Sequence, residues 1–396
     1  MKAVILAAGE GARMGPFTAS EPKVMIPVGN KPILEYAVEA LVENGIHDLV
    51  LVVGYRKERI QSYFEDGGKF NARIEYATEG KQLGSLHALW EARSLLRGPF
   101  LALNGSNLVD AQAIADLLEG GEEPSILIAE TEAPEKYGVV SLSGHSVERI
   151  VEKPRQPEGN LVNAGVYRLD AGALALAEGV LNEGHYDIPA LVNALAAKAR
   201  VRAVRTKGTW LPALYPWDLL KLNAHVLNRV GDLQSGTIEK DVTLRGHVVI
   251  GDGSRIRSGT YVLGPAIVGE GCEIGPNVVV YPSTSIGDNV KVQAFSVIEN
   301  SILMDDVLVG PQSHIAHSVL GEGVRVASNL MASARRADAQ IEGEWHAVDP
   351  IGALVGEDTE VRDGVVIEPG SVVGARCRIG PLSRVRGSLP NGTTVM

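Results

Sequence analysis

Two different hydrophobic periods divide the chain. Up to about Asn228, short apolar runs alternate with amphipathic stretches. Val4-Ile5-Leu6, Leu49–Gly54, Pro99–Asn104 and Ser125–Ala129 read as buried strands, and Ile33–Asn44 and Lys57–Phe64 as helices. Buried strands separated by helices predict a mostly parallel α/β sheet covered on both faces. On such sheets ligands sit beyond the carboxyl ends of the strands.

From Ile238 the period becomes six. Ile238, Leu244, Ile250, Ile256, Val262, Val268, Ile274, Val280, Ile286, Val292 and Ile298 fall in one register. It resumes at Val355, Val361, Ile367, Val373, Ile379 and Val385. A six-residue repeat predicts one short strand and turn per face of a coil, with aliphatic side chains stacked inside. The irregular stretch near 302–350 predicts an insertion protruding from that coil. The expected division is residues 1–230 and 237–396, with a linker at Gly231–Gly236 after a helix opened by Pro216-Trp217-Asp218.

Composition narrows the classes. A chain of 396 residues predicts two domains. Its net charge of -11 argues against a nucleic-acid or anionic-membrane partner, so phosphates would be met by individually placed cations. No apolar run approaches the roughly 20 residues of a membrane-spanning helix, and the expected location is cytoplasmic. Cys272 and Cys377 have no metal-ligand spacing and read as small buried apolar residues.

The N-terminal segment carries the chemistry. Leu6-Ala-Ala8-Gly9-Glu-Gly11-Ala-Arg13-Met is a strand running into a glycine turn, and Pro22-Lys23 follows. Such a turn lets backbone N–H groups close on phosphate oxygens, and Arg13 and Lys23 supply fixed positive charge. This string resembles the signature of the sugar-1-phosphate nucleotidylyltransferases, with Ala12 where threonine is usual.

Gln82-Leu-Gly84-Ser85 is similar to that family's nucleobase-reading segment. Tyr137-Gly138-Val-Val, Val151-Glu152-Lys153-Pro and Asn163-Ala-Gly-Val-Tyr167 are similar to its sugar-phosphate wall. The resemblance implies a Rossmann-like nucleotide-binding domain in which Arg13 and Lys23 are catalytic. It assigns Leu6, Ala8, Gly9, Gly11, Gln82, Gly84 and Ser85 to the nucleotide, and Gly138, Glu152, Lys153 and Asn163 to the sugar phosphate. The implied reaction is attack of a sugar-1-phosphate, expected to be N-acetylglucosamine-1-phosphate, on the α-phosphorus of a nucleoside triphosphate, expected to be UTP, with release of pyrophosphate.

Several chemical positions depart from that pattern. Mg2+ is expected for the family, yet Ser106 and Pro212 stand where its two aspartate ligands belong. A hydroxyl or a proline cannot anchor a hard cation, so no metal ligand is assigned. Asp110 and Asp218 remain nearby in sequence, but the family carries acids there too.

The second half resembles the left-handed β-helix of hexapeptide-repeat proteins, and the whole chain resembles archaeal bifunctional uridylyltransferase/acetyltransferases. That implies a homotrimer, or an assembly with an active relative, and raises acetyl-CoA as a cofactor. Pro311 occupies the position of the acetyltransfer histidine, and Ala334 that of an asparagine. His314 and His317 are candidate replacement bases, with exposed loop histidines as the competing reading.

Three functions remain open at this point: a nucleotidylyltransferase, a silent nucleotide- and sugar-phosphate-binding regulatory relative, and a sugar-phosphate acetyltransferase.

Overall fold

The computed structural model describes residues 1–119, 121 and 124–396. By its contacts the chain forms two units: Met1–Glu10, Pro22–Met25 and Ile33–Pro212 in one, and Gly11–Glu21, Ile26–Pro32 and Ala213–Met396 in the other.

In the first unit the chain runs β1 (Lys2–Ala7), α1 (Ile33–Glu43), β2 (Asp48–Val53), α2 (Lys57–Phe64), β3 (Arg73–Thr78), α3 (Ser85–Glu91), β4 (Phe100–Asn104), β5 (Asn107–Val109) and α4 (Ala111–Glu119). It continues through β6 (Ser125–Glu130), β7 (Gly138–Ser143), β8 (Ser146–Glu152), β9 (Leu161–Leu169), α5 (Ala171–Asn182), α6 (Ile188–Ala196), β10 (Arg202–Arg205) and β11 (Trp210–Pro212).

Nine strands form one sheet in the order β3-β2-β1-β4-β9-β6-β10-β8-β7. The β3-β2-β1-β4 block is parallel, whereas β9 runs antiparallel to both β4 and β6. Side chains alternate between the faces. Val4, Val50, Val52 and Ala102 pack with Leu86 and Leu89 of α3, Ala173 of α5 and Leu191 of α6. Ala3, Ile5, Leu49 and Leu51 pack with Leu34 and Leu41 of α1, Phe64 of α2 and Leu117 of α4. Burial on both faces explains why these strands read as continuous apolar runs.

The second unit is a parallel β-helix. Its strands form three sheets of nine, nine and eight members, each made of short strands bonded in parallel to the coil before and after. The aliphatic register lies inside, from Ile250 and Ile256 through Ile379 and Val385, all almost fully buried. Cys272 and Cys377 belong to this buried column, and burial pushes the Cys272 thiol up to about 11.

The coil does not break at 302. Ile286 pairs with Leu303, Val292 with Val309 and Ile298 with Ile315, and each of these pairs with the next coil in turn. Two corners, Ile298 to Leu303 and Ile315 to Leu320, carry five residues in place of six, which shifts the register while keeping every strand stacked. The expected insertion near 302–350 is therefore shorter than the sequence implied. What leaves the coil is one antiparallel hairpin, Arg335–Ile341 with Glu344–Ile351. Its departure leaves Val319 bonded directly to Leu354.

By its contacts the helix α7 (Asp218–Leu227) groups with the β-helix. Asn223, fully buried, accepts from the Gly29 N–H at 2.8 Å and donates to the Ser283 carbonyl at 2.9 Å. It thereby ties α7 to both the 26–32 segment and a coil corner.

Candidate functional site

β1 ends at Ala7, and the expected phosphate-binding residues begin one position later. Gly9 faces open space, with no atom within 4 Å of the position a Cβ would take. The Gln82 amide braces this turn, donating to the Ala8 carbonyl at 3.0 Å and accepting from the Glu10 N–H at 3.3 Å. In the ligand-free protein, both ends of the amide expected to read a nucleobase are thus engaged with the glycine turn.

The base segment is fastened from its far side. Gly84 adopts φ +156°, and a Cβ there would come within 2.6 Å of the Tyr186 carbonyl. That carbonyl accepts from the Leu86 N–H at 2.6 Å, and the Ser85 hydroxyl accepts from the Ile188 N–H at 2.9 Å at the start of α6. Glu79, buried to 6 % exposure, holds the His87 imidazole at 2.7 Å. Tyr186, Ile188 and Glu79 were not singled out in the sequence. Asp187 and Pro189 beside a helix start were the available signal.

The sugar-wall residues converge. Gly138 pairs with Glu152 across β7 and β8. A Cβ on Gly138 would stand 2.9 Å from Glu152 Oε2 and 3.7 Å from the Asn163 Cβ. Three segments separated in sequence therefore meet at one point. Lys153 Nζ is 3.2 Å from Glu152 Oε1. Asn163 donates to the hydroxyl of the buried Tyr167 at 2.6 Å and accepts from the Gly165 N–H at 3.1 Å. A cleft of about 550 Å³ runs along Leu83, Glu152, Tyr186, Asp187 and Asn193, joining the base segment to the sugar wall.

The two positions at which the sequence resemblance expects acids fall close together. β11 pairs antiparallel with β5, setting Pro212 opposite Asn107, the residue after Ser106. Asp110 Oδ1 is used by the N–H groups of Ala113 and Thr209, and Asp218 Oδ2 by those of Leu214 and Tyr215. No group of three or more His, Cys, Asp or Glu side chains among the described residues could hold a metal ion. This donor set does not fit Mg2+.

Lys23 lies half-buried on a short turn, Lys23–Met25, in the first unit. Gly11, at φ +74°, and Arg13 belong to the second unit, where Arg13 Nε stands 3.7 Å from Glu342 Oε2 of the hairpin. The Tyr215 ring, stacked on Trp217, also meets His346 of the hairpin at 4.5 Å.

Neither candidate acetyltransfer histidine sits in a formed base site. His314 lies on the outer row of the third sheet between Val297 and Met331. Burial lowers the His317 pKa, and its Nδ1 lies 2.7 Å from the Asn300 amide nitrogen.

Comparison with known proteins gives the family. The nucleotidyl transferase family model matches residues 2–226, and a GMPPB C-terminal domain model matches residues 262–368. The chain is 33% identical to the bifunctional protein GlmU of Methanococcus maripaludis, over 96% of this chain and 94% of that one. It is 29% identical to a bifunctional sugar-1-phosphate nucleotidylyltransferase/acetyltransferase of Sulfurisphaera tokodaii, over 96% of both. A Bacillus anthracis structure assigned as a glucose-1-phosphate thymidylyltransferase, 22% identical, covers 59% of this chain and 97% of its own at a TM-score of 0.54, which speaks to the fold. No described helix is long and apolar enough to cross a membrane. From its glycine turn to β11, the chain belongs to the sugar-1-phosphate nucleotidylyltransferases of the nucleotidyl transferase family.

Proposed function

We propose that this protein binds a nucleoside triphosphate, UTP by preference, together with N-acetylglucosamine-1-phosphate, and that its nucleotidyl transfer is slow or silent. The observation that supports this reading is the pairing of Pro212 with Asn107 beside Ser106, which sets the two positions where the resemblance expects acids at one strand pair. Gln82 on the glycine turn, Gly84 against Tyr186, and Gly138, Glu152 and Asn163 at one point support the binding half of the reading. Phosphoryl chemistry depends chiefly on positioning and on neutralising developing charge. A pocket that keeps the first and loses its divalent cation retains substrates better than it converts them.

A regulatory role within an assembly follows from the same reading. Outward on the third sheet, Tyr261, Val279, Val297, His314, Met331 and Val366 form a largely apolar row suited to a trimer of this chain or of this chain with an active relative. Acetyl transfer is the least supported activity, because neither His314 nor His317 is held as a base.

The test measures pyrophosphate release from UTP plus N-acetylglucosamine-1-phosphate, with and without Mg2+, alongside calorimetric binding of each substrate. Binding without turnover is expected. Rapid Mg2+-dependent turnover would overturn silence, and absence of binding in a folded sample would overturn the pocket.

A further inference from the structure

The β-helix unit carries a second charged cleft, unrelated to the pocket of the first unit. About 690 Å³ in volume, it lies between the hairpin and the last coils and is lined by Arg335, Arg336, Arg384, Arg386, Trp345 and Glu368. In a chain of net charge -11, four guanidinium groups around one cleft are a strong local reversal of sign. Glu368 serves two of them, accepting from Arg335 at 2.7 Å and from Arg384 Nε at 2.5 Å.

Arg336 and Arg386 are not among the side chains that bond Glu368, although Arg386 adds to the positive field that lowers the Glu368 carboxyl. Asp338 is the other carboxylate in the lining, so four cations face two anions and the cleft keeps a net positive charge. The Trp345 indole, 61 % exposed, stands on the second strand of the hairpin with one wall of the cleft.

Each feature selects part of a ligand. A planar guanidinium with free N–H donors matches phosphate oxygens two at a time. Two such groups beyond those satisfied by Glu368 call for more than one phosphate. An exposed indole beside them offers a stacking surface for a flat heterocycle. The volume lies within the range of small-molecule sites.

We propose that this cleft is a second nucleotide site, taking a nucleoside di- or triphosphate with its phosphates on Arg336 and Arg386 and its base on Trp345. The lining is charged apart from Trp345, Pro369, Ala337 and Gly387, and has no apolar channel for an acyl-pantetheine arm. A free nucleotide fits it better than coenzyme A. Because it is built on the hairpin and the final coils, it is independent of whether the first unit binds UTP.

The experiment titrates the full-length protein by calorimetry with ADP, inorganic pyrophosphate and coenzyme A separately. Comparison is with Arg336→Glu/Arg386→Glu, Trp345→Ala and the first-unit nucleotide-segment variant Gln82→Ala. Arg336 and Arg386 are chosen because reversing them leaves both Glu368 bonds in place, and folding is checked by circular dichroism.

ADP is expected to bind the parent and Gln82→Ala alike, and to lose roughly tenfold or more in affinity on the double reversal. Trp345→Ala should weaken ADP several-fold while leaving pyrophosphate unchanged. Unaltered ADP binding in the folded double variant would overturn the proposal. So would coenzyme A binding in preference to ADP, pyrophosphate binding with no gain from the nucleoside, or a change of oligomeric state in the double variant, which would make the arginines a subunit contact.

Discussion

Pro212 stands directly opposite Asn107 where β11 meets β5, which brings it alongside the residue that follows Ser106. The two positions at which the family resemblance expects acids therefore fall at one strand pair.

That adjacency makes restoration testable. Ser106→Asp with Pro212→Asp should create a paired carboxylate site and a Mg2+-dependent release of pyrophosphate, roughly 100-fold or more above the parent. Either single variant should fall well short of the double. Magnesium titration of the rate checks the assignment, and a double variant no faster than the parent would remove the metal explanation for silence.

The Gly138 position has no room for a side chain. Its missing Cβ would lie 2.9 Å from both Glu152 Oε2 and Ile150 Cγ2. Gly138→Ala should displace Glu152, destabilise the first unit by about 1–3 kcal/mol, and weaken N-acetylglucosamine-1-phosphate binding more than UTP binding. Thermal melting and calorimetry on the same sample separate the two effects.

The hairpin carboxylate Glu342 holds Arg13 at 3.7 Å, with both side chains about half exposed at 51 %. An exposed pair of this kind contributes up to about 1 kcal/mol. Glu342→Ala should cost the second unit up to about 1 kcal/mol of stability. The loss should shrink as salt is raised. An unchanged melting temperature at low salt would show that the pair contributes nothing.

His317 provides a pH handle. Burial lowers its pKa from the ordinary 6.5, while Glu299 acts in the opposite direction. The unfolded chain therefore binds a proton that the folded one resists, and stability contributed by neutral His317 is lost as pH falls below about 6.5. His317→Asn, compatible with the positive φ of 46° at this corner, should flatten that loss. The melting-temperature difference between variant and parent should move in the variant's favour from pH 7 to pH 5.5.

Much of the architecture was readable before any coordinate. The helix expected at Lys57–Phe64 spans those residues, and the aliphatic hexads from Ile238 to Ile298 point into the coil because strand period and burial are stated locally. The stretch after Ile298 was misread because a single missing residue at a corner shifts the count by one without disturbing the hydrogen bonds of the next coil. The convergence of Gly138, Glu152 and Asn163 was implied by family resemblance, but its physical basis is strand pairing among β7, β8 and β9. The grip of Tyr186 on Gly84 was hidden, since a backbone carbonyl leaves no trace in residue identity. The grouping of α7 with the β-helix was also hidden, because it rests on the contacts of Asn223 and not on any change of composition.

The hairpin leaves the coil between Ala332 and Leu354 while the rows on either side remain bonded, Val319 to Leu354 and Val326 to Val361. The backbone ladder therefore closes beneath the hairpin without needing it. The excursion is still fastened to the spine, because Arg335 bonds Glu368 on a later coil and Ala339 and Ile341 are buried.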